Sequence, residues 1–264
     1  MTVAFCLVSS DHGPLIVNRF DYNHIFNGDY YGVGAQILET GHYDPREVEA
    51  LKNLLKCRMG HFGSGVVALD CGANIGVHST EWAKLMREWG SVIAVEAQER
   101  VFYALAGNLT LQNCFNARAI WAAIDDKAGE LSFPEPDYTK SSSFGSFELK
   151  ARVGGEFIGQ ALDYGRPTST VRTITIDSLG LERLDLLKLD VEGMEAEALR
   201  GAVETIDRCK PLMFIEVVKS DKDAITKFLE DRDYKVLPHG MNVLAIHKDD
   251  PTLKNISVEH DKHD

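Results

Sequence analysis

Two stretches of the chain gather side chains whose types and spacing could do chemistry. The first is ALDCGANIG, residues 68–76. A short apolar run ends at Asp70. Helical spacing begins at Ile75, with Ser79, Trp82, Met86 and Trp89 on the same stripe. Between them Gly72 and Gly76 let the backbone turn tightly and approach a ligand, with the amide groups of the new helix facing it. A dinucleotide fingerprint would read G-x-G-x-x-G, but Asn74 stands where its second glycine belongs. Asp70 would repel a pyrophosphate and suits an ammonium group. S-adenosylmethionine (SAM) offers an ammonium, a carboxylate for the helix amides and no phosphate. The D-x-G-x-x-x-G spacing therefore favours SAM over NAD, with Asp70, Gly72, Ala73, Asn74 and Gly76 as the binding loop. Glu96 lies 20 residues beyond Gly76, at the end of the next apolar run, where an acid hydrogen-bonds the two ribose hydroxyls of a nucleoside. Adenine needs a flat apolar slot, and Trp121, Ala122 and Ala123 offer one, with Asp125 just beyond. Trp121 by itself reads more readily as a core residue.

The second stretch is KLDVEGMEAEALRGA, residues 188–202. Asp190 ends an apolar run, Glu192 follows, and Gly193 turns the chain into a helix. In a doubly wound sheet that strand tip lines the same crevice as Gly72. Methyl transfer to a hydroxyl demands positioning and a base for the departing proton, and Asp190 or Glu192 could accept it. Alternatively Asp190 and Glu216, the latter near the tip of LMFIEVV (212–218), could hold a divalent metal that orients and acidifies the hydroxyl. Other polar residues carry less. Glu195 reads as an acid favoured by a helix dipole. Lys188, inside an apolar run, either snorkels or pairs with Glu192 or Glu216. His78 and His239 could reach the crevice, and Tyr138 and Tyr164 could stack on a sugar, although each has an equally good structural reading. The spacing holds no Ser-His-Asp or Cys-His arrangement.

These residues need strands to bring them to one edge. VVALD (66–70), VIAVE (92–96), ARAIWAAI (117–124), LDLLKLD (184–190) and LMFIEVV are five apolar strands. Helices are expected after the glycine loop, over Glu99–Leu111, from Met194 to Ile206, and over Lys222–Asp231. YKVL (234–237) and NVLAIH (242–247) close the chain as a pair around Pro238–Met241. The alternation implies an α/β fold with a mostly parallel sheet and helices on both faces. Asp44 as N-cap and Pro45 at the first position open an earlier helix that runs to about Met59. Before it, residues 1–43 read as a hairpin-like N-terminal extension around Gly13-Pro14. Residues 44–248 then form the catalytic domain, and 249–264 a polar, frayed tail. Residues 128–175, with Pro134, Pro136, a serine triplet and Gly154-Gly155, break the rhythm as a cap or a disordered insert.

Composition narrows the class. The 264 residues carry a net charge of −12, with 44% apolar and 26% charged residues, ordinary for a folded chain and sufficient for a full core. The acidic balance argues against nucleic acid or an anionic membrane as partner. Five scattered cysteines without C-x-x-C disfavour disulfides and structural zinc and make a reducing cytoplasm the expected compartment. No basic leader precedes the first apolar run, and no stretch approaches the roughly 20 apolar residues that span a bilayer.

At LDCGANIGVHS (69–79), VEAQ (95–98), LLKLDVEGMEAEALRGA (186–202) and FIEV (214–217), the sequence resembles the FkbM-type SAM-dependent methyltransferases. The resemblance extends over roughly residues 40–247, and the LDVEG run is its most specific part. It implies a Rossmann-like seven-stranded methyltransferase fold of class I, mostly parallel with an antiparallel last strand. It also implies methyl transfer, usually to a hydroxyl, on sugars of glycans and lipopolysaccharide or on secondary metabolites. By position, Asp70, Gly72, Asn74, Gly76 and Glu96 match the SAM-binding residues, and Asp190 and Glu192 the signature acids near the transfer site. Ala97 departs from the proline that often follows the acid. The acceptor is expected to be a small molecule or glycan, neutral rather than polyanionic, because five acids would converge on one crevice. Basic residues in 140–172 (Lys140, Lys150, Arg152, Arg166, Arg172) leave a phosphate or carboxylate open. Two other functions compete: an NAD(P)-dependent oxidoreductase, disfavoured by Asp70 and the absent third glycine, and a non-catalytic SAM-fold subunit. The oligomeric state is open, a homo-oligomer included.

Overall fold

The structure, a computed structural model, describes residues 3–24 and 30–255. The remaining residues of the N-terminal segment and tail lie outside that description. The chain begins with an antiparallel hairpin, β1 (Phe5–Ser10) and β2 (Gly13–Asn18). The turn is Asp11-His12, so Gly13 and Pro14 open β2 instead of forming the turn. A two-residue pair, β3 (Asn23–His24) and β4 (Tyr30–Tyr31), precedes α1 (Val33–Thr40), a helix the sequence did not announce. In α2 (Pro45–Phe62), Asp44 caps the helix by accepting the Glu47 N–H, and Pro45 holds the first position.

The central sheet then builds outward. Its strands are β5 (Val66–Cys71), β6 (Gly90–Glu96) and β7 (Ala117–Trp121), then β11 (Leu186–Leu189), β12 (Leu212–Glu216), β13 (Tyr234–His239) and β14 (Asn242–His247). The order across the sheet is β7-β6-β5-β11-β12-β14-β13. All pairs are parallel except those of β14, which runs antiparallel to β12 and β13 between them. This is the seven-stranded, mostly parallel sheet with an antiparallel last strand that the sequence led us to expect. The connecting helices are α3 (Val77–Leu85), α4 (Glu99–Leu111), α5 (Glu195–Arg200), α6 (Val203–Cys209) and α7 (Lys222–Glu230). Alternate strand residues face opposite cores. Ala68, Leu186 and Phe214 pack with Leu51, Trp82 and Leu105 on the side of α2, α3 and α4. Leu69, Leu187 and Met213 pack with Leu199, Ile206 and Leu229 on the side of α5, α6 and α7.

Three segments differ from the sequence expectation. The apolar run 117–124 is not one strand: it breaks after Trp121, and Ala123–Ile124 (β8) joins a separate three-stranded sheet with β9 (Gly129–Phe133) and β10 (Ser169–Ile174). Segment 128–175 is therefore anchored at both ends by the β9–β10 pairing. Between them it folds back over the sheet edge through buried Phe144, Phe147, Leu149 and Ile158, which suits a cap. The expected single helix after β11 is two helices, interrupted at Gly201-Ala202. Beyond β14, residues Pro251–Asn255 form a docked 3-10 turn, with Asp250 in a buried ion pair to Arg58 of α2. That part of the tail is packed, not frayed.

Candidate active site

The chain runs from β5 outward through β6 and β7, then restarts at β11 on the other side of β5. The carboxyl ends of β5 and β11 are thus a topological switch point, where open α/β sheets bind ligands. A cavity of about 370 Å³ lies there, within the range of small-molecule sites.

The glycine loop is shaped by its neighbours. Gly72 has φ +78°, and a Cβ there would lie 1.7 Å from the Asp190 carbonyl oxygen. The Asp190 N–H in turn donates to Cys71 O at 3.1 Å, so the tips of β5 and β11 touch and only glycine fits between them. Asn74 adopts a left-handed conformation, φ 51°, with its side chain accepting the Ile75 N–H. The loop amides are satisfied within the protein. Gly72 and Ala73 donate to Val95 O, Asn74 to Glu96, and Gly76 to Ala73 O. Amides for a ligand therefore begin with α3 itself, not with the glycines.

Glu96 ends β6 buried against the cavity, its two oxygens accepting the Asn74 and Gln98 N–H groups at 2.9 and 2.8 Å. Burial lifts its carboxyl to about 7, and those amide bonds act in the opposite direction. Beside it, Ala97, Ala123, Phe147, Leu149 and Met194 form an apolar wall.

At the other end of the cavity stand three acids. One oxygen from each of Asp190, Glu192 and Glu216 lies within 4.8 Å of the others. Burial, then the charge of Asp190, pushes Glu216 up to about 7 and holds Glu192 well above the carboxylate range. One Glu216 oxygen is buried without a partner. Two lysines balance the acids. Lys188 is buried and donates to Asp190 at 2.8 Å; burial would lower it, but Asp190, Asp70 and Glu47 outweigh that and hold it raised. Lys219, just past β12, pairs with Glu192, reaches Glu156 at 2.8 Å and donates to Ser146 O at 2.9 Å. Burial opposes its charge, but Glu192 and Glu156 hold it raised. Glu192 itself sits at φ 53°, strained for a side-chain-bearing residue. Glu195 fixes that turn: it is fully buried and accepts the Val191 and Gly193 N–H groups and the Ser220 hydroxyl.

Residues 70–236 match the Methyltransferase FkbM domain. The chain belongs to the FkbM methyltransferase family. Among solved structures, it is similar to the methyltransferase FkbM from Methylobacillus flagellatus KT, with 17% identity and a TM-score of 0.49, over 70% of this chain and 43% of that one. It therefore spans less than half the length of that relative. A Bacillus cereus O-methyltransferase in complex with SAH gives 14% identity and a TM-score of 0.45, over 81% and 86% of the two chains. Precorrin-6y C5,15-methyltransferase from Geobacter metallireducens GS-15 gives 17% and 0.42, over 77% and 88%. No curated protein matches this chain.

In this member of the FkbM methyltransferase family the cavity collects Gly72, Ala73, Asn74, Glu96, Ala123, Asp190, Glu192 and Glu216. Two expected residues do not face it. Asp70 is buried beneath the loop, one oxygen accepting the Ser79 hydroxyl at 2.6 Å and the other unpartnered, so it does not offer the direct ammonium contact expected. Gly76 supports the loop from behind, where a Cβ would meet Leu105 at 2.5 Å. Trp121 packs outside the cavity and donates to Ala97 O, and Asp125 is held by Lys150. Lys188 pairs with Asp190, not with Glu192 or Glu216. His78 does line the cavity, 3.3 Å from Glu47, whereas His239 is exposed and packs edge-on against Phe214. Tyr138 is buried against Phe144 and donates to Gln98, Tyr164 donates to Glu148 O, and neither lines the cavity where a sugar would stack. Of the cap cations, Lys140, Arg152 and Arg166 are each paired with an acid of the cap, Lys150 with Asp125 just before it, and Arg172 donates to Trp121 O.

The sequence reading missed several wall residues. Tyr31, Gln36 and Tyr43 come from the N-terminal segment, and Ser143, Phe147 and Leu149 from the cap. Only long-range packing puts them there. Lys219 did carry a signal: it is the first charge past the strand tip that bears Glu216. Gln98 did too, two residues after Glu96 at the start of α4.

Proposed function

We propose that this methyltransferase uses SAM and methylates a hydroxyl group of a small, neutral, hydroxylated acceptor such as a sugar or secondary metabolite. The observation that carries the reading is that Glu96, at the tip of β6, and Glu216, at the tip of β12, line the same cavity with both carboxyls lifted to about 7. The residues present fit SAM. Glu96 keeps lone pairs beyond its two amide bonds and can accept two ribose hydroxyls. Ala97, Ala123, Phe147, Leu149 and Met194 suit the adenine face, the start of α3 suits a carboxylate, and Asp190 suits an ammonium. When bound, SAM supplies an electrophilic methyl group. The chain's own part is to orient the acceptor hydroxyl and take its proton. A carboxylate whose protonation midpoint lies near neutrality is well matched to that role, and Glu216 meets the condition with a free buried oxygen. Lys188 and Lys219 place positive charge beside Asp190 and Glu192.

A divalent metal on Asp190, Glu192 and Glu216 is the second reading, favoured by the convergence of three hard oxygen donors. Lys219 on Glu192 counts against it, because the ammonium takes the position where a cation would act. The test is a methyl-transfer assay with labelled SAM against paired hydroxyl and amine acceptors, with and without chelator. Label transfer to the hydroxyl acceptor that survives chelation supports the proposal; chelator-sensitive transfer replaces the base with the metal, and transfer only to amines overturns O-methylation.

A further inference from the structure

One polar pair that lines the cavity has no part in holding the ribose or taking the proton: Glu47, in the first turn of α2, and His78, in the first turn of α3. Glu47 Oε1 and His78 Nε2 are 3.3 Å apart, and only 16% and 8% of the two side chains are exposed, so neither is a solvated surface group. The His78 Nε2 makes no hydrogen bond at that distance. Glu47 Oε2 accepts the Asn242 side-chain N–H at 3.0 Å. Asn242 is the residue that faces Glu216 in the pairing of β12 with β14. The pair is thereby moored to the strand that bears the proposed base, whereas Glu96 lies on β6, three strands away in the sheet order. Burial alone would lift the Glu47 carboxyl, but the facing His78 and the charge of Lys188 outweigh it and hold Glu47 below the ordinary carboxylate value.

An acid and a ring N–H donor side by side in a cavity wall complement a ligand group that carries both signs, such as an α-amino acid. Asp190 by itself is an incomplete partner for an ammonium, because Lys188 already donates to it at 2.8 Å. In α3 the Thr80 N–H bonds Gly76 O at 2.9 Å, which leaves the earlier amides of that turn for a ligand. We infer that Glu47 and His78 hold the amino-acid end of SAM, Glu47 sharing the ammonium with Asp190 and His78 joining the first amides of α3 on the carboxylate. The inference rests on the proposed use of SAM and adds two binding residues. Glu47 precedes the residues 70–236 that match the family, so α2 becomes part of the cofactor site.

The test is isothermal titration of the full chain with three probes: S-adenosylhomocysteine, its decarboxylated analogue, and 5′-methylthioadenosine, which keeps the nucleoside and the sulfur but lacks the amino-acid end. Glu47→Gln, isosteric and uncharged, should weaken S-adenosylhomocysteine and the decarboxylated analogue on the order of 10- to 100-fold, the scale of a lost charge-assisted hydrogen bond, and leave 5′-methylthioadenosine unchanged. His78→Phe keeps a ring beside Tyr43 and Trp82 and should weaken only S-adenosylhomocysteine, by roughly tenfold. Retained 5′-methylthioadenosine affinity also reports that each variant has folded. Glu96→Gln should weaken all three probes. The inference is overturned if the parent chain binds S-adenosylhomocysteine no more tightly than 5′-methylthioadenosine, if either variant binds S-adenosylhomocysteine as the parent does, or if the two variants weaken all three probes alike. A parent chain that binds none of the probes refutes instead the underlying reading of the cavity as a SAM site.

Discussion

Glu216→Gln should raise stability and lower activity together, a combination that a merely structural acid would not give. The carboxyl midpoint of about 7, against an ordinary 4.5, means that the folded chain binds a proton here more tightly than the unfolded chain. Between pH 4.5 and 7 the folded state carries more protons, so stability falls as pH rises through that window and stays low above it. The cost of the ionised form is on the order of 3 kcal/mol, from about 1.4 kcal/mol per pH unit of displacement. Glutamine has the same shape, carries no charge, and offers an N–H₂ to the acids beside it. At pH 8 the variant should therefore melt on the order of 5–10 °C higher, the scale of a few kcal/mol in a chain of this size. Its turnover should fall by roughly 10²–10³, the usual contribution of a general base. In the parent enzyme kcat should rise with pH through about 7 and then level off, because the base must be ionised; the variant should lose that inflection. Scanning calorimetry at pH 5.5 and 8, with pH–rate profiles of both proteins, reads all three effects. A variant as active as the parent, or one destabilised at pH 8, refutes the assignment of Glu216.

Gly72→Ala places a methyl group 1.7 Å from the Asp190 carbonyl at a positive φ, so the β11 tip must shift. A loss on the order of 3 kcal/mol or more in urea unfolding is expected, together with loss of S-adenosylhomocysteine binding. Lys219→Met removes the cation that opposes the lift of Glu192 and Glu216, so the pH–rate inflection should move above about 7. Glu96, lifted to about 7, must be ionised to accept two hydroxyls, so S-adenosylhomocysteine affinity should weaken as pH falls below about 7, by up to tenfold per pH unit. Glu96→Gln should bind more weakly and without that dependence, as isothermal titration across pH would show.

The parts of the fold legible in the sequence are those with local signals. Apolar runs that end in acids marked β5, β6, β11 and β12, and Asp44-Pro45 marked the start of α2. What escaped was set by distant contacts. Nothing near Trp121 says that the next strand residues leave the sheet; that break follows from β8 pairing with β10, some 50 residues on. Asp70 pointed toward a ligand by its place at a strand tip, but Ser79 and Lys188, brought close by packing, claim the space around it. Lys188 found Asp190, one residue past the end of β11, because alternation carried two residues along the extended chain puts both on one face. The cap wall could not be read, since Phe147 and Leu149 reach the cavity only through the β9–β10 anchor.

The most direct measurement is a calorimetric titration of the full chain with S-adenosylhomocysteine and, separately, NADH at pH 8. Our account predicts saturable one-to-one binding of S-adenosylhomocysteine, weakened at least tenfold by Glu96→Gln, and no heat with NADH. Saturable NADH binding with no S-adenosylhomocysteine signal would contradict it.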